Sequence, residues 1–201
     1  MITPTLTPSG QSSHPPIHRI SVQEYEQMID AGVFVKGPKL ELIEGTLVRK
    51  MTQNPPHNFC VGEFMDFLQG SIPDSWHLQV QSPLAILNSR PEPDLAVLPF
   101  PRRDLGVRHP RGDETALVVE VADTSLEYDR GVKARLYAAG RVPVYVIVNI
   151  PERTVEIYSE PDGEDERAHY RSLRTVGETE RFSLRLADHD FPEILTRDLF
   201  L

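Results

Sequence analysis

Residues Ala116 to Ala122 are apolar except at Glu120, and Val142 to Ile150 is a second, β-branched apolar run, with a helical pattern from about Ser125 to Ala139 and Gly140 between them. Runs of that kind are strands buried on both faces. Two such strands joined by a helix form a crossover unit with parallel strands. The chain is thereby held to an α/β (α+β) architecture. Within it Glu120 is an acid where an apolar residue belongs.

The remaining elements dress that unit. The Pro-, Ser- and Thr-rich stretch 1–16 reads as a flexible tail, and 17–201 as a single domain without internal repeats. Ser21 and Glu24 form a capping box opening a short amphipathic helix that Gly32 ends. Leu40 to Lys50 predicts two strands around the turn Glu44-Gly45. Phe59, Phe64, Phe67 and Leu68 recur at helical spacing, which predicts a helix from Pro55-Pro56 to about Gly70 with Cys60 as a small core residue. Trp76 to Gln81, Leu84 to Leu87 and Leu95 to Leu98 predict three strands of a meander. Thr154 to Ser159 adds another, Pro161 to Glu166 an acidic turn, and edge strands follow before a terminal segment carrying Ile194, Leu195, Leu199 and Phe200.

Net charge is −9, which argues against a protein that coats nucleic acid through a basic surface. The charge is uneven: 13 acids face 7 bases from Pro151 onward, whereas Arg102, Arg103, Arg108 and Arg111 make one stretch locally basic. That stretch reads either as a loop beside a phosphate or as an ordinary solvated loop. Cys60 is the single cysteine, so no internal disulfide is possible. The first sixteen residues hold no Lys or Arg and no long apolar run, and no apolar run approaches a membrane span. A cytoplasmic protein without signal peptide or membrane segment is expected.

Acids in apolar strands carry the chemistry. Asp94 begins the run Leu95 to Leu98, on the face of Ala96 and Leu98, and Glu120 shares a face with Val118 and Ala122. If those strands are neighbours, their carboxylates converge into a hard-oxygen site suited to Mg²⁺ or Mn²⁺. On the following helix Asp129 and Lys133 stand at i, i+4, with Tyr137 continuing the face. They are either an exposed pair worth about 0.3–0.5 kcal/mol or a lysine set to orient water and neutralise charge at phosphorus. Burial would lower the lysine pKa and neighbouring carboxylates would raise it.

Glu41-Leu42-Ile43-Glu44-Gly45, His57 in its helix, Pro93-Asp94-Leu95-Ala96-Val97, Val118 to Ser125, Asp129 to Lys133 and Tyr137 to Gly140, in that order, resemble the Uma-two (Uma2) family of endonucleases over about residues 20–200. The family belongs to the PD-(D/E)XK superfamily, so the resemblance implies a restriction-endonuclease-like fold with a four-stranded mixed core and Mg²⁺- or Mn²⁺-dependent cleavage of DNA. It assigns the metal to Asp94 and Glu120, with the Val121 carbonyl facing it. Glu44 is implied as the supporting amino-terminal acid and Lys133 as the catalytic lysine, replacing the superfamily lysine where Ala122 stands. His57, Gln81, Asp129 and Tyr137 are implied as supporting positions. Val144, Val146 and Asn149 depart from the family pattern without touching the implied ligands. A homodimer is expected from the fold. The alternatives are a non-catalytic nucleic-acid or protein binding module on a nuclease fold, and a hydrolase of another phosphodiester.

Overall fold

The structure is a computed structural model and describes residues 17–50 and 53–201; the tail expected over 1–16 lies outside them. Ser21 opens α1 (Val22–Asp30) through the expected capping box, its hydroxyl accepting from the Glu24 N–H at 3.2 Å while the Glu24 carboxylate accepts from the Ser21 N–H at 2.8 Å. β1 (Leu40–Ile43) and β2 (Thr46–Arg49) pair in a two-residue hairpin in which both Glu44 and Gly45 have positive φ, the conformation that suits the twist of the strands. Asn54 caps α2 (Pro55–Gln69), and the prolines occupy its first turn, where no amide partner is lost.

The centre is a six-stranded sheet in the order β3 (His77–Val80), β4 (Leu95–Leu98), β5 (Leu117–Ala122), β6 (Val144–Asn149), β7 (Thr154–Asp162), β8 (His169–Val176). β5 and β6 are parallel and every other pair is antiparallel. Alternation along β4 and β5 builds two cores. Leu95, Val97, Leu117, Val119 and Val121 face α2, Phe182 and Phe191, whereas Ala96, Val118 and Ala122 face Tyr137, Tyr145, Ile43 and Ile86. Asp94 and Glu120 continue the second face. Two further two-residue pairings lie outside the sheet, and among the described residues no helix is long and apolar enough to cross a membrane.

Three expectations change. Leu84 to Leu87 is not a strand but a loop held by bridges, because Pro83, Pro91 and Pro93 withhold ladder donors and Leu87 takes a positive φ. β7 runs on through Pro161 to Asp162: β6 ends opposite Ser159, so the proline has no ladder bond to lose on that side. The helix after β5 is broken into Leu126–Tyr128, α3, a π-helical turn over Asp129–Lys133, and Ala134–Ala139, α4.

Gly112 packs directly on the chain that ends α4: a Cβ there would stand 2.3 Å from the Gly140 carbonyl oxygen. The obstacle is backbone, so Gly112→Ala is expected to destabilise by about 1–3 kcal/mol in chemical denaturation. An unchanged midpoint would contradict this close approach.

Candidate active site

Leu95 pairs with Val119 across the β4–β5 ladder, so Asp94 and Glu120 are the next facing positions and both point to the same side. Asp94 Oδ2 accepts the Val121 N–H at 3.0 Å and lies 3.2 Å from His57 Nε2. Glu120 Oε1 accepts from Lys133 Nζ at 2.8 Å and from the Tyr137 hydroxyl at 2.6 Å. Lys133 Nζ also reaches Glu41 Oε2 at 3.2 Å, and Glu41 is oriented by the Glu92 N–H at 3.0 Å. Glu41, His57, Asp94, Glu120, Val121 and Lys133 line one cleft of about 300 Å³, whose wall also includes Lys50, Asp123, Ser125, Tyr128 and Asp129, while Tyr137 supports Glu120 from behind it.

The π-helical turn explains how Asp129 and Lys133 both enter it. Widening the helix to an i→i+5 bond, here from the Ala134 N–H to the Asp129 carbonyl, turns both side chains inward, and each residue is under 5% exposed. The exposed-pair alternative therefore does not describe them.

Burial by itself would lower the Lys133 pKa, but Glu120, Glu41 and Asp129 together outweigh it and hold it far above its ordinary value. The side chain is an ammonium. Burial raises the Glu120 pKa, with Asp94 and Glu41 adding to it against Lys133. Burial pushes Asp94 the same way, but the hydrogen bond and charge of His57 and the Val121 amide prevail and lower it.

Asp129, buried beside Glu120, is raised to about 7 although it accepts the Ser125 hydroxyl at 2.6 Å. In the unfolded chain it ionises near 3.8. Between those values the folded state keeps a proton that the unfolded state has shed, so the contribution of Asp129 to stability falls as pH rises from about 4 to about 7. Asp129→Asn removes this dependence, and in metal-free melts its advantage over wild type should grow across that window to at most about 4 kcal/mol. Parallel pH profiles for the two proteins would refute it.

Not every expected residue is brought together. Glu44 lies outside the cleft on the hairpin turn, held by Arg135 through two 2.7 Å bonds that lower its pKa. Glu41, three residues earlier on β1, lines the cleft and bonds Lys133. Strand parity could have separated them, because Glu41 shares the inward face of Ile43 while Glu44 falls in the turn. Gln81 does not line the cleft; its N–H donates to the Asp94 carbonyl at 3.0 Å and so fixes the backbone that carries Asp94. Val121 lines the cleft, and the bond it makes to the site is through its amide. The arginine loop is also elsewhere: Arg108 pairs with Glu114 at 2.6 Å, Arg111 with Asp113 at 2.9 Å, and exposed Arg102 and Arg103 do not line the cleft. Acids within the loop balance Arg108 and Arg111.

The donor set fits a divalent cation. Asp94 Oδ1 is buried without a hydrogen-bond partner, and both bonds to Glu120 fall on one oxygen. A buried carboxylate oxygen left unpaired costs about 1–3 kcal/mol or more, which a cation would recover. Among the described residues no three His, Cys, Asp or Glu side chains converge as ligands. Two carboxylates, with water and substrate filling other positions, is how Mg²⁺ is commonly held.

A family model described as "Putative restriction endonuclease" matches residues 22–191. A solved structure, "a putative nuclease belonging to DUF820 from Anabaena variabilis", is similar in fold, with a TM-score of 0.66 over 90% of this chain and 97% of that one at 11% identity. Comparison with curated proteins found no match.

Proposed function

The chain belongs to the Uma2 family, and on that premise we propose that it is a divalent-metal-dependent endonuclease that hydrolyses phosphodiester bonds of DNA. The observation that carries this reading is the pairing of Asp94 and Glu120 across one ladder position, with an unpartnered carboxylate oxygen and a buried ammonium beside them. Asp94 and Glu120, with the carbonyl of Val121, would hold Mg²⁺ or Mn²⁺. A bound cation of this kind lowers the pKa of water and offsets charge on phosphoryl oxygens.

The chain's own residues do the rest. Lys133, kept protonated by Glu120 and Glu41, is no base; it presents a fixed positive charge to the anionic transition state and can orient the attacking water. Tyr137 and Lys133 occupy Glu120 Oε1 and so fix that carboxylate. His57 and the Val121 amide occupy Asp94 Oδ2 and leave Oδ1 without a protein partner. Glu41, rather than Glu44, serves as the amino-terminal acid by anchoring Lys133.

A cleavage panel tests the reading. Closed circular DNA, linear duplex, single strands and RNA are incubated with Mg²⁺ or Mn²⁺, or with chelator. Metal-dependent endonucleolytic cutting of DNA that survives Glu44→Ala is expected. Cutting in chelator, or none on any DNA, overturns it.

A further inference from the structure

All six tyrosines of the chain lie in the described residues, and five of their hydroxyls donate to a protein acceptor. Tyr25 donates to the Leu40 carbonyl, Tyr137 to Glu120, Tyr145 to the Asp129 carbonyl, Tyr158 to Glu156 and Tyr170 to the Val142 carbonyl. Tyr128 is the exception. Its hydroxyl is buried without a partner, and the residue lines the cleft of Asp94, Glu120 and Lys133. A buried hydroxyl left unpaired is costly, and such a group calls for a ligand to satisfy it.

Chemistry narrows the ligand. Burial first, and then the charge of Glu41, raise the phenol to about 12, so at neutral pH it is a hydrogen-bond donor and not an anion. The ammonium of Lys133 is already engaged by two carboxylates. Beside the charge of Lys133, the Tyr128 hydroxyl is a neutral donor in the cleft wall left without a partner, and a phosphodiester presents anionic acceptor oxygens without a proton to give. Tyr128 directly precedes the π-helical turn, so the same backbone feature that turns Asp129 and Lys133 inward sets its position.

We propose that Tyr128 contacts the substrate, its hydroxyl donating a hydrogen bond to a non-bridging oxygen of the scissile phosphodiester; this rests on the nuclease reading above. The deletion of one oxygen, Tyr128→Phe, is the test. A hydrogen bond to a charged acceptor corresponds to a loss of about 10- to 150-fold in kcat/KM for Mg²⁺-dependent DNA cleavage. Because no protein acceptor is lost, the melting temperature without DNA should hold or rise, and the rise on adding Mn²⁺ should match wild type. Binding of a fluorescent DNA oligonucleotide with Ca²⁺ in place of Mg²⁺ should weaken by about fivefold or more.

The outcomes separate the two claims. Full cleavage and binding by Tyr128→Phe, with Asp94→Asn inactive, overturns the Tyr128 contact and leaves the nuclease reading standing. Marked loss of melting temperature in Tyr128→Phe overturns it as well, since the hydroxyl would then be structural. Wild-type protein that binds the oligonucleotide but never cuts, with weaker binding by the variant, supports the contact and defeats the nuclease reading. A wild type that neither binds nor cuts defeats both.

Discussion

Asp94→Asn is expected to cut DNA about a thousandfold more slowly than wild type, or worse, in a single-turnover assay with Mg²⁺, while remaining folded. A metal in this position is worth several kcal/mol of transition-state charge stabilisation, and each 1.36 kcal/mol is a factor of ten in rate. Asparagine keeps the shape and can still accept the Val121 N–H through its remaining oxygen, but it removes the charge and the unpartnered Oδ1. Glu120→Gln should behave alike in activity, with less stability, because its carboxylate also pairs with Lys133. Undiminished cleavage by either variant, with native circular dichroism, would contradict the assignment.

Lys133→Met carries the largest expected loss of stability. The lysine is buried and is shared by Glu41 at 3.2 Å and Glu120 at 2.8 Å. Removing one partner of a buried ion pair costs about 3–5 kcal/mol, because the charges left behind are unpaired. For a domain of this size each kcal/mol moves the melting temperature by about 2–4 °C, so a fall of about 10 °C is expected at pH 7. Glu120, already raised by burial, is then raised further in the folded state. Protonating it relieves part of the cost, so the deficit should shrink as pH falls toward 5. Adding Glu41→Gln should restore part of the stability but none of the cleavage. A Lys133→Met protein as stable as wild type at every pH would show that the pair contributes nothing to the fold.

How much of this was legible in the chain follows from which signals are local. The apolar run around Glu120, and Asp94 at the head of another, were readable because a strand repeats every two residues and a charge in it stands out. Their convergence followed once β4 and β5 proved adjacent. The capping box and the Glu44-Gly45 turn were readable for the same local reason. Glu44 was set in the site ahead of Glu41 by motif likeness, although Arg135, ninety-one positions away, is what claims it. That partner is a long-range contact that no spacing reveals. The π-helical turn was equally hidden, since periodicity assumes 3.6 residues per turn, and spacing alone left an exposed Asp129–Lys133 pair and an inward lysine as open alternatives. The proline-flanked segment Leu84 to Leu87 failed as a strand through missing donors, a signal that was present and outweighed by its apolar residues.

The central claim is that Asp94 and Glu120 form a divalent-cation site, and thermal melting of wild type and Asp94→Asn across a Mn²⁺ or Mg²⁺ titration tests it without any choice of substrate. At a hundred times Kd the bound ion adds about 2.7 kcal/mol, which for this size of domain is about 5–10 °C. The account predicts that rise in wild type and its loss in Asp94→Asn. A flat wild-type curve, or an equal rise in both proteins, would contradict it.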